Sequence, residues 1–460
     1  MSRRHHGYVV VTLRAGETVL RMPAQLDVLV GAARPADRVT GGRLDRTVRA
    51  LAGGFRATAV YHARRNLGRV GARGLAYDDV EHELGLSRTY RLQLAEAAHA
   101  DRVVDALRGL AIVESVTVEP LATTGSVAVM ATPRPDEIVA PYDYVRAREA
   151  LETEPGDERV TVAVVDTGVS LGHAELQRKL LSGYDVVDFG LGGLDEETVL
   201  VGDSRGRDFA PTDDVGHGSH VAGVIGAQGW RLPRGVGGRC RVLPIRVLAA
   251  ATRAGAGPDA ERFGVGAITE INLGLKVAVD LGADVVNCSF GTPQSALDPY
   301  APAPHEAVVG YADRAGCVLV AAAGNAGSAE PYHPAVDPRV IAVGSVGPGG
   351  ARSAFSSYGH HIALAAPGER VIGVGRLSYR RATGTSHAAP FVTGACALLV
   401  SRARRGGVSP GAERVRSWLT GGARRSHAPP DEVGAGVLDV VGALARCDAD
   451  LSPDDTWSPP

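Results

Sequence analysis

The chain has 460 residues, 45% of them hydrophobic and 22% charged, which allows packed cores and excludes bulk disorder. Its formal net charge of −2 gives no electrostatic case for a nucleic-acid or membrane partner. Five scattered cysteines (Cys240, Cys288, Cys317, Cys396, Cys447) provide neither a disulfide framework nor a CxxC metal pair. The basic residues are nearly all Arg, with Lys only at Lys179 and Lys276, a compositional bias and not a phosphate-binding device.

The opening MSRRHHGYVVVTLRAG carries a short apolar run cut by Arg14 and lacks a small-residue cleavage site. It reads as a first strand and not as an export signal. No stretch is long and apolar enough to span a membrane. On this reading the protein is cytoplasmic; an export signal hidden by a misassigned start would make it secreted. YVVVTLR is a strand, GRLDRTVRALAGG a helix ending on Gly, and FRATAVYHA and RTYRLQL are strands. HADRVVDALRGL is a helix and VESVTVEP a closing strand. Residues 1–120 thus read βαββαβ, the ferredoxin-like order of a small α+β domain. Residues 121–140 lack periodicity, carry Pro133 and Pro135, and read as a linker.

From residue 141 to 447 the texture is α/β. VTVAVVD, RVLPIRVL, DVVNCSF, CVLVAAAG and VIAVGSV are apolar strands separated by helical segments. Strands that are apolar throughout predict a parallel sheet covered on both faces. Chemistry in such sheets collects at the C-terminal strand ends. Residues 448–460, acidic and Pro-rich, read as a disordered tail.

Four residues stand at such ends. Asp166 closes a strand, His217 opens a helix, Asn325 follows a strand, and Ser386 opens a helix. A serine hydroxyl becomes a nucleophile when an imidazole takes its proton and a carboxylate orients that imidazole. An amide N–H and the Ser386 backbone N–H at a helix start would stabilise the oxyanion. Each residue alone has a plainer reading. Asp166 and Asn325 fit turns, and Ser386 fits an N-cap. His217 and His220 fit a zinc pair, but HGSH lacks the Glu of HExxH and no third ligand is evident. The four together carry the chemical reading.

The blocks VAVVDTG, GHGSHVAG, NCSFG, AAAGNAG, AFSSYG, LAAPG and GTSHAAPFVTGACALL, in that order from about Tyr142 to Ala445, resemble the subtilisin-like serine proteases. The resemblance implies a subtilisin-like parallel-sheet catalytic domain, a catalytic triad of Asp166, His217 and Ser386, and Asn325 as the oxyanion-hole side chain. It implies a polypeptide substrate paired as an extended strand between Ser289-Phe290-Gly291 and Gly264-Val265-Gly266. Ala321, Ala322, Ala323 and Gly324 would wall the main specificity pocket. The uncharged Ala326 suggests an apolar or uncharged preference there. No cofactor is required, but the resemblance admits structural calcium, with Asp185, Asp188, Asp203, Asp208, Asp213 and Asp214 as oxygen donors outside any EF-hand spacing; the plainer reading of these residues is a solvated acidic loop. Residues 1–120 would be a propeptide that inhibits the enzyme and helps it fold, with part of 121–140 in the cleft. The competing reading makes them a permanent regulatory domain.

The chain departs from the family pattern at His387, where Met is common, at Ala389 and Phe391 in the SPHV-like run, and at Ser219 in place of Thr. None removes a catalytic group. The apolar-DTG motif also resembles aspartic proteases, but no second DTG or DSG exists and the βα alternation is wrong for them. GTSHA is not the GxSxG elbow of α/β-hydrolases. The remaining alternative is a catalytically silent binding or regulatory module on the same fold.

Overall fold

The computed structural model describes residues 4–17, 22–67, 77–125, 127–129, 134–190, 194, 197–205, 209–257 and 260–452. In the N-terminal part, strands Phe55–Ala59, Thr89–Leu94, Arg4–Leu13 and Val113–Thr123 lie side by side in that order, all antiparallel. Helices Arg43–Ala52 and Ala100–Arg108 cover one face. Leu44, Val48 and Ala52 recur at four-residue spacing and bury with Val103, Leu107, Val9, Val11 and Leu92. The opposite face carries charge. There Arg91 bonds Glu119 at 2.7 Å and lies 3.3 Å from Glu270 of helix Ile268–Asp280.

The second part is built on a seven-stranded parallel sheet. Its order is Ile362–Pro367, Ile341–Val346, Val318–Ala322, Val285–Cys288, Thr161–Asp166, Arg241–Arg246 and Tyr184–Asp185. Side chains of Thr161–Asp166 alternate between two cores. Val162 and Val164 join helices His217–Gly226 and Thr385–Arg405, while Ala163 and Val165 join Ile268–Asp280 and Glu306–Arg314. Burial on both faces is why these strands carry no polar alternation.

Residues 121–140, expected to be a linker and possible cleavage region, contain regular elements. Residues 121–123 continue the strand from Val113 and pair with Phe263–Ala267. Val127–Val129 pairs with Tyr379–Thr383, and Pro135 starts helix Pro135–Tyr144. Both strands complete edges supplied by distant segments, which local periodicity does not encode. Pro133 lies outside the described residues. The tail boundary at 448 also shifts: helix Val440–Leu451 runs through it. Asp448 bonds Arg402 at 2.7 and 2.8 Å, and Asp450 accepts from Arg414 and Trp418. Its acidic residues are helix partners here; residues 453–460 lie outside the described range. No described helix is long and apolar enough to cross a membrane.

Candidate active site

Asp166, at the end of its strand, accepts a hydrogen bond from His217 Nδ1 at 2.7 Å. The same oxygen accepts from Thr167 N at 2.7 Å. Both side chains are buried, Asp166 fully. His217 reaches so close because Gly218 follows it. A Cβ on Gly218 would fall 2.2 Å from the Gly168 carbonyl and 3.0 Å from Asp166 Cβ. A side chain there would push the helix off the strand end.

Asp213 ties the pieces together. Its carboxylate accepts from Val215 N, Gly216 N and Ser219 N, and from the hydroxyls of Thr167 (2.9 Å) and Ser219 (2.6 Å). Thr167 Oγ1 in turn accepts from Gly218 N at 3.0 Å. Asp213 therefore anchors the start of the His217 helix to the strand end bearing Asp166. From the sequence Asp213 reads only as a candidate calcium donor. Its signal was an acidic residue four positions ahead of the helix-opening histidine.

Ser386 sits in the first turn of Thr385–Arg405, buried, and its hydroxyl donates to the Ser289 carbonyl at 3.0 Å. It does not bond His217, whose Nε2 has no hydrogen-bond partner among the described residues. Catalytic hydrogen bonds of this kind often tighten only with substrate in reacting position. Asn325 is oriented from behind. Its carbonyl oxygen accepts from Thr385 N at 2.8 Å and Thr385 Oγ1 at 2.9 Å. Its amide nitrogen must then face the cleft, where it donates to the carbonyl of Gly125. The role of Thr385 is not legible in the sequence, because a residue beside Ser386 carries no local mark of its bond to Asn325.

The cleft is occupied by the chain itself. Leu121, Ala122 and Thr123 run antiparallel to Ala267, Gly266 and Val265. Thr123 exchanges main-chain bonds with Gly291 at 3.3 and 3.2 Å, and Thr124 N donates to Gly264 O at 3.0 Å. Residues 121–125 thus lie between the two segments expected to grip substrate. Phe290, Gly291, Ala322 and Gly324 line the recess beside Gly125. Ala323 does not line it: its side chain packs in the sheet core with Ala321, and its N–H bonds Val343 O.

His220 is no metal ligand in this arrangement. Its Nε2 donates to Val371 O at 3.0 Å, and its Nδ1 is 3.0 Å from His387 Nδ1. Burial pushes His220 down to about 3, with the charges of Arg380 and His217 adding, so its ring is neutral. The neutral Nδ1 then accepts, and His387 donates. Burial, then the His220, His217 and Arg380 charges, hold His387 well below the ordinary histidine range.

The acidic loop uses its charges internally. Asp185 pairs with the Arg246 guanidinium, which also lies 3.6 Å from Asp203 and 3.9 Å from Asp214. Arg246 stands where a cation would neutralise these carboxylates, so they do not fit a calcium site. Asp188 accepts from Gly190 N, and Asp208 lies outside the described residues. Among the described residues no group of three His, Cys, Asp or Glu side chains could hold a metal.

A model of the subtilase family, peptidase S8, matches residues 157–436. The chain is 33% identical over 259 residues to a thermophilic serine proteinase of Bacillus sp. (strain AK1), covering 55% of each protein. It is 33% identical over 266 residues to thermitase of Thermoactinomyces vulgaris, covering 56% of this chain and 81% of that one. It is also 33% identical over 273 residues to the major intracellular serine protease of Bacillus subtilis (strain 168), covering 58% and 76%. The chain thus spans about half of the first of these relatives and about three quarters or more of the other two. With a match over more than half its length, and with the family's blocks lying at the strand ends and helix starts just described, this chain belongs to the subtilase family.

Proposed function

We propose that the protein is a serine endopeptidase, made self-inhibited, that cuts its own chain after Gly125. The observation that carries this reading is the hydrogen bond from Asn325 Nδ2 to the Gly125 carbonyl, at the end of a strand that pairs with both walls of the cleft. A peptide held so presents one carbonyl to one amide donor beside one serine. The proposed chemistry runs on Ser386, His217, Asp166 and Asn325.

Rotation about χ1 carries the Ser386 hydroxyl from the Ser289 carbonyl toward His217 Nε2. His217 takes the proton as Ser386 Oγ bonds to the carbonyl carbon of residue 125. Asp166, on Nδ1–H, holds the ring in the tautomer that leaves Nε2 basic and stabilises the imidazolium. The oxyanion is met by Asn325 Nδ2 and by Ser386 N–H at the positive end of a 21-residue helix. Collapse breaks the C–N bond, and His217 gives its proton to the departing amine of residue 126. Water then repeats the sequence in reverse and frees Ser386.

The N-terminal part suits an inhibitor because its contacts bury charge. Lys276 of the catalytic part is fully buried between Glu81 at 2.6 Å and Asp280 at 2.7 Å. Arg314 reaches Glu83 at 2.7 Å, and Arg108 reaches Asp298 at 2.7 Å. These pairs hold the domain while its trailing strand fills the cleft.

Intact-mass measurement tests the reading. Wild-type protein is expected to separate into residues 1–125 and 126 onward, and Ser386→Ala to stay whole. A folded wild-type chain that remains uncut and takes no label from a fluorophosphonate probe would make the protein a silent binding module.

A further inference from the structure

A three-stranded sheet beside the cleft takes its third strand from the chain just past the proposed cut. Strand Val371–Val374 pairs with Tyr379–Thr383, which pairs in turn with Val127–Val129. The register sets Val127 opposite Thr383, Ala128 opposite Ala382 and Val129 opposite Arg381. Thr383 stands three residues ahead of Ser386, and Val127 two residues past Gly125. The chain that follows the proposed scissile bond therefore lies on a strand edge leading straight into the Ser386 helix. Another polypeptide bound across Ser386 would need that edge for the residues after its own scissile bond.

Val127–Val129 cannot travel far once the bond after Gly125 is cut. Helix Pro135–Tyr144 follows after five residues, 130–134, whose full extension allows about 20 Å of reach. That helix is fixed near both ends. Tyr142 is fully buried, its ring 5.1 Å from Phe391 on the Ser386 helix. Glu137 accepts from Arg381 at 2.9 Å, and Arg381 is the residue opposite Val129. One residue of the edge thus holds the anchor and also faces the tethered strand. A strand on so short a tether meets its edge at an effective concentration on the order of millimolar. Without it, Tyr379–Thr383 would present a row of unpaired backbone groups. The two products of the cut differ in this respect: residues 1–125 become a separate chain that dilution removes, whereas Val127–Val129 stays attached.

We infer that Val127–Val129 remains on the Tyr379–Thr383 edge after self-cleavage and acts as a second, internal inhibitor of the cut enzyme. It closes the cleft to polypeptides that extend past the scissile bond and leaves it open to substrates that end there. The inference rests on the proposed peptidase reading and adds a control to it. Activity on proteins then requires trimming or displacement of residues 126–129, an event separate from the release of residues 1–125.

The test uses the full chain after it has cut itself, diluted until a fluorophosphonate labels Ser386 completely. Two substrates share one sequence up to the cut bond: an anilide, and a peptide extended four residues beyond it. An edge open about a tenth of the time raises KM for the extended peptide about tenfold. Ala128→Pro combined with Val129→Pro removes two backbone N–H groups from the strand. That variant is expected to lose the rise in KM and to hydrolyse the anilide as wild type does. Amide hydrogen exchange reads the strand directly: Val127–Val129 should exchange as slowly in the cut wild-type chain as in uncut Ser386→Ala. Exchange of Val127–Val129 at the free-chain rate in the cut protein overturns the inference. So does an equal KM for the extended peptide in wild type and the proline variant. If the proline variant does not cut itself, exchange on wild type decides alone. The peptidase reading fails separately, by a wild-type chain that neither cuts itself nor takes the fluorophosphonate label.

Discussion

Asn325 points its amide nitrogen at the Gly125 carbonyl because Thr385, next to Ser386, occupies its other side at 2.8 Å through its N–H. The bond couples the proposed oxyanion donor to the helix that carries Ser386. Asn325→Ala should therefore lower kcat by about 10²–10³-fold with little change in KM, the size known for the corresponding loss in subtilisin, a relative. Ser386→Ala should lower it by about 10⁶-fold, again as in subtilisin. Steady-state kinetics on a peptide substrate checks both; equal losses would mean that Asn325 does more than hold the oxyanion.

Glu270 makes the docking of the N-terminal domain depend on pH. One guanidinium, Arg91, faces two buried carboxylates. Glu119 takes the 2.7 Å contact and also accepts from Thr269 N and Oγ1. Burial raises Glu270 to about 8 against the pull of Arg91, with the Asp188 and Glu119 charges adding and a backbone hydrogen bond at Asp188 opposing. The docked state therefore holds a proton that a freed Glu270 releases at lower pH. Docking is strongest below the ordinary carboxylate range and weakens as pH rises toward about 8. The rate at which residues 1–125 dissociate after cleavage should rise over that window, and Glu270→Gln should flatten the dependence.

Lys276 should anchor the same interface. Removing Glu81 leaves it with Asp280 as its remaining carboxylate. Breaking one partner of a buried pair costs about 3–5 kcal/mol. Glu81→Ala is expected to weaken binding of the cleaved domain by about 10²-fold or more, read by titrating inhibition. An unchanged inhibition constant would show that the strand in the cleft, and not the charges, holds the domain.

Arg246 should do the work of a metal in the acidic loop. Burial pushes Asp185 up to about 6 although Arg246 pulls the other way, so Asp185 is charged near neutral pH only with that partner beside it. Arg246→Met should cost about 3–5 kcal/mol at pH 7, measured by denaturant unfolding. A calcium chelator should leave the Tm of wild type unchanged.

His387 raises the question of a second charge beside the nucleophile. Its ring and that of His220 are both held neutral by burial, so it brings none. His387→Met should leave the acid limb of the kcat/KM–pH profile where it is. A shift of that limb would mean that the buried pair takes up a proton with the catalytic group.

The residues proposed to carry the chemistry stand out in the sequence because each sits at an end of a secondary element, and element ends carry local marks. Asp166 ends an apolar run, His217 follows a glycine at a helix start, and Ser386 opens an Ala-rich helix. The alternation of apolar strands and helices likewise announced a parallel sheet, since burial on both faces is written in each strand separately. What the sequence left open were relations between segments far apart in the chain. Which strand lies in the cleft and which carbonyl reaches Asn325 depend on packing across long separations. So does the pairing of the acidic loop with Arg246, because a guanidinium 43 residues from Asp203 leaves no trace in the loop itself. Local periodicity records what one segment buries; it does not record which neighbour buries it, and only the assembled fold decides that.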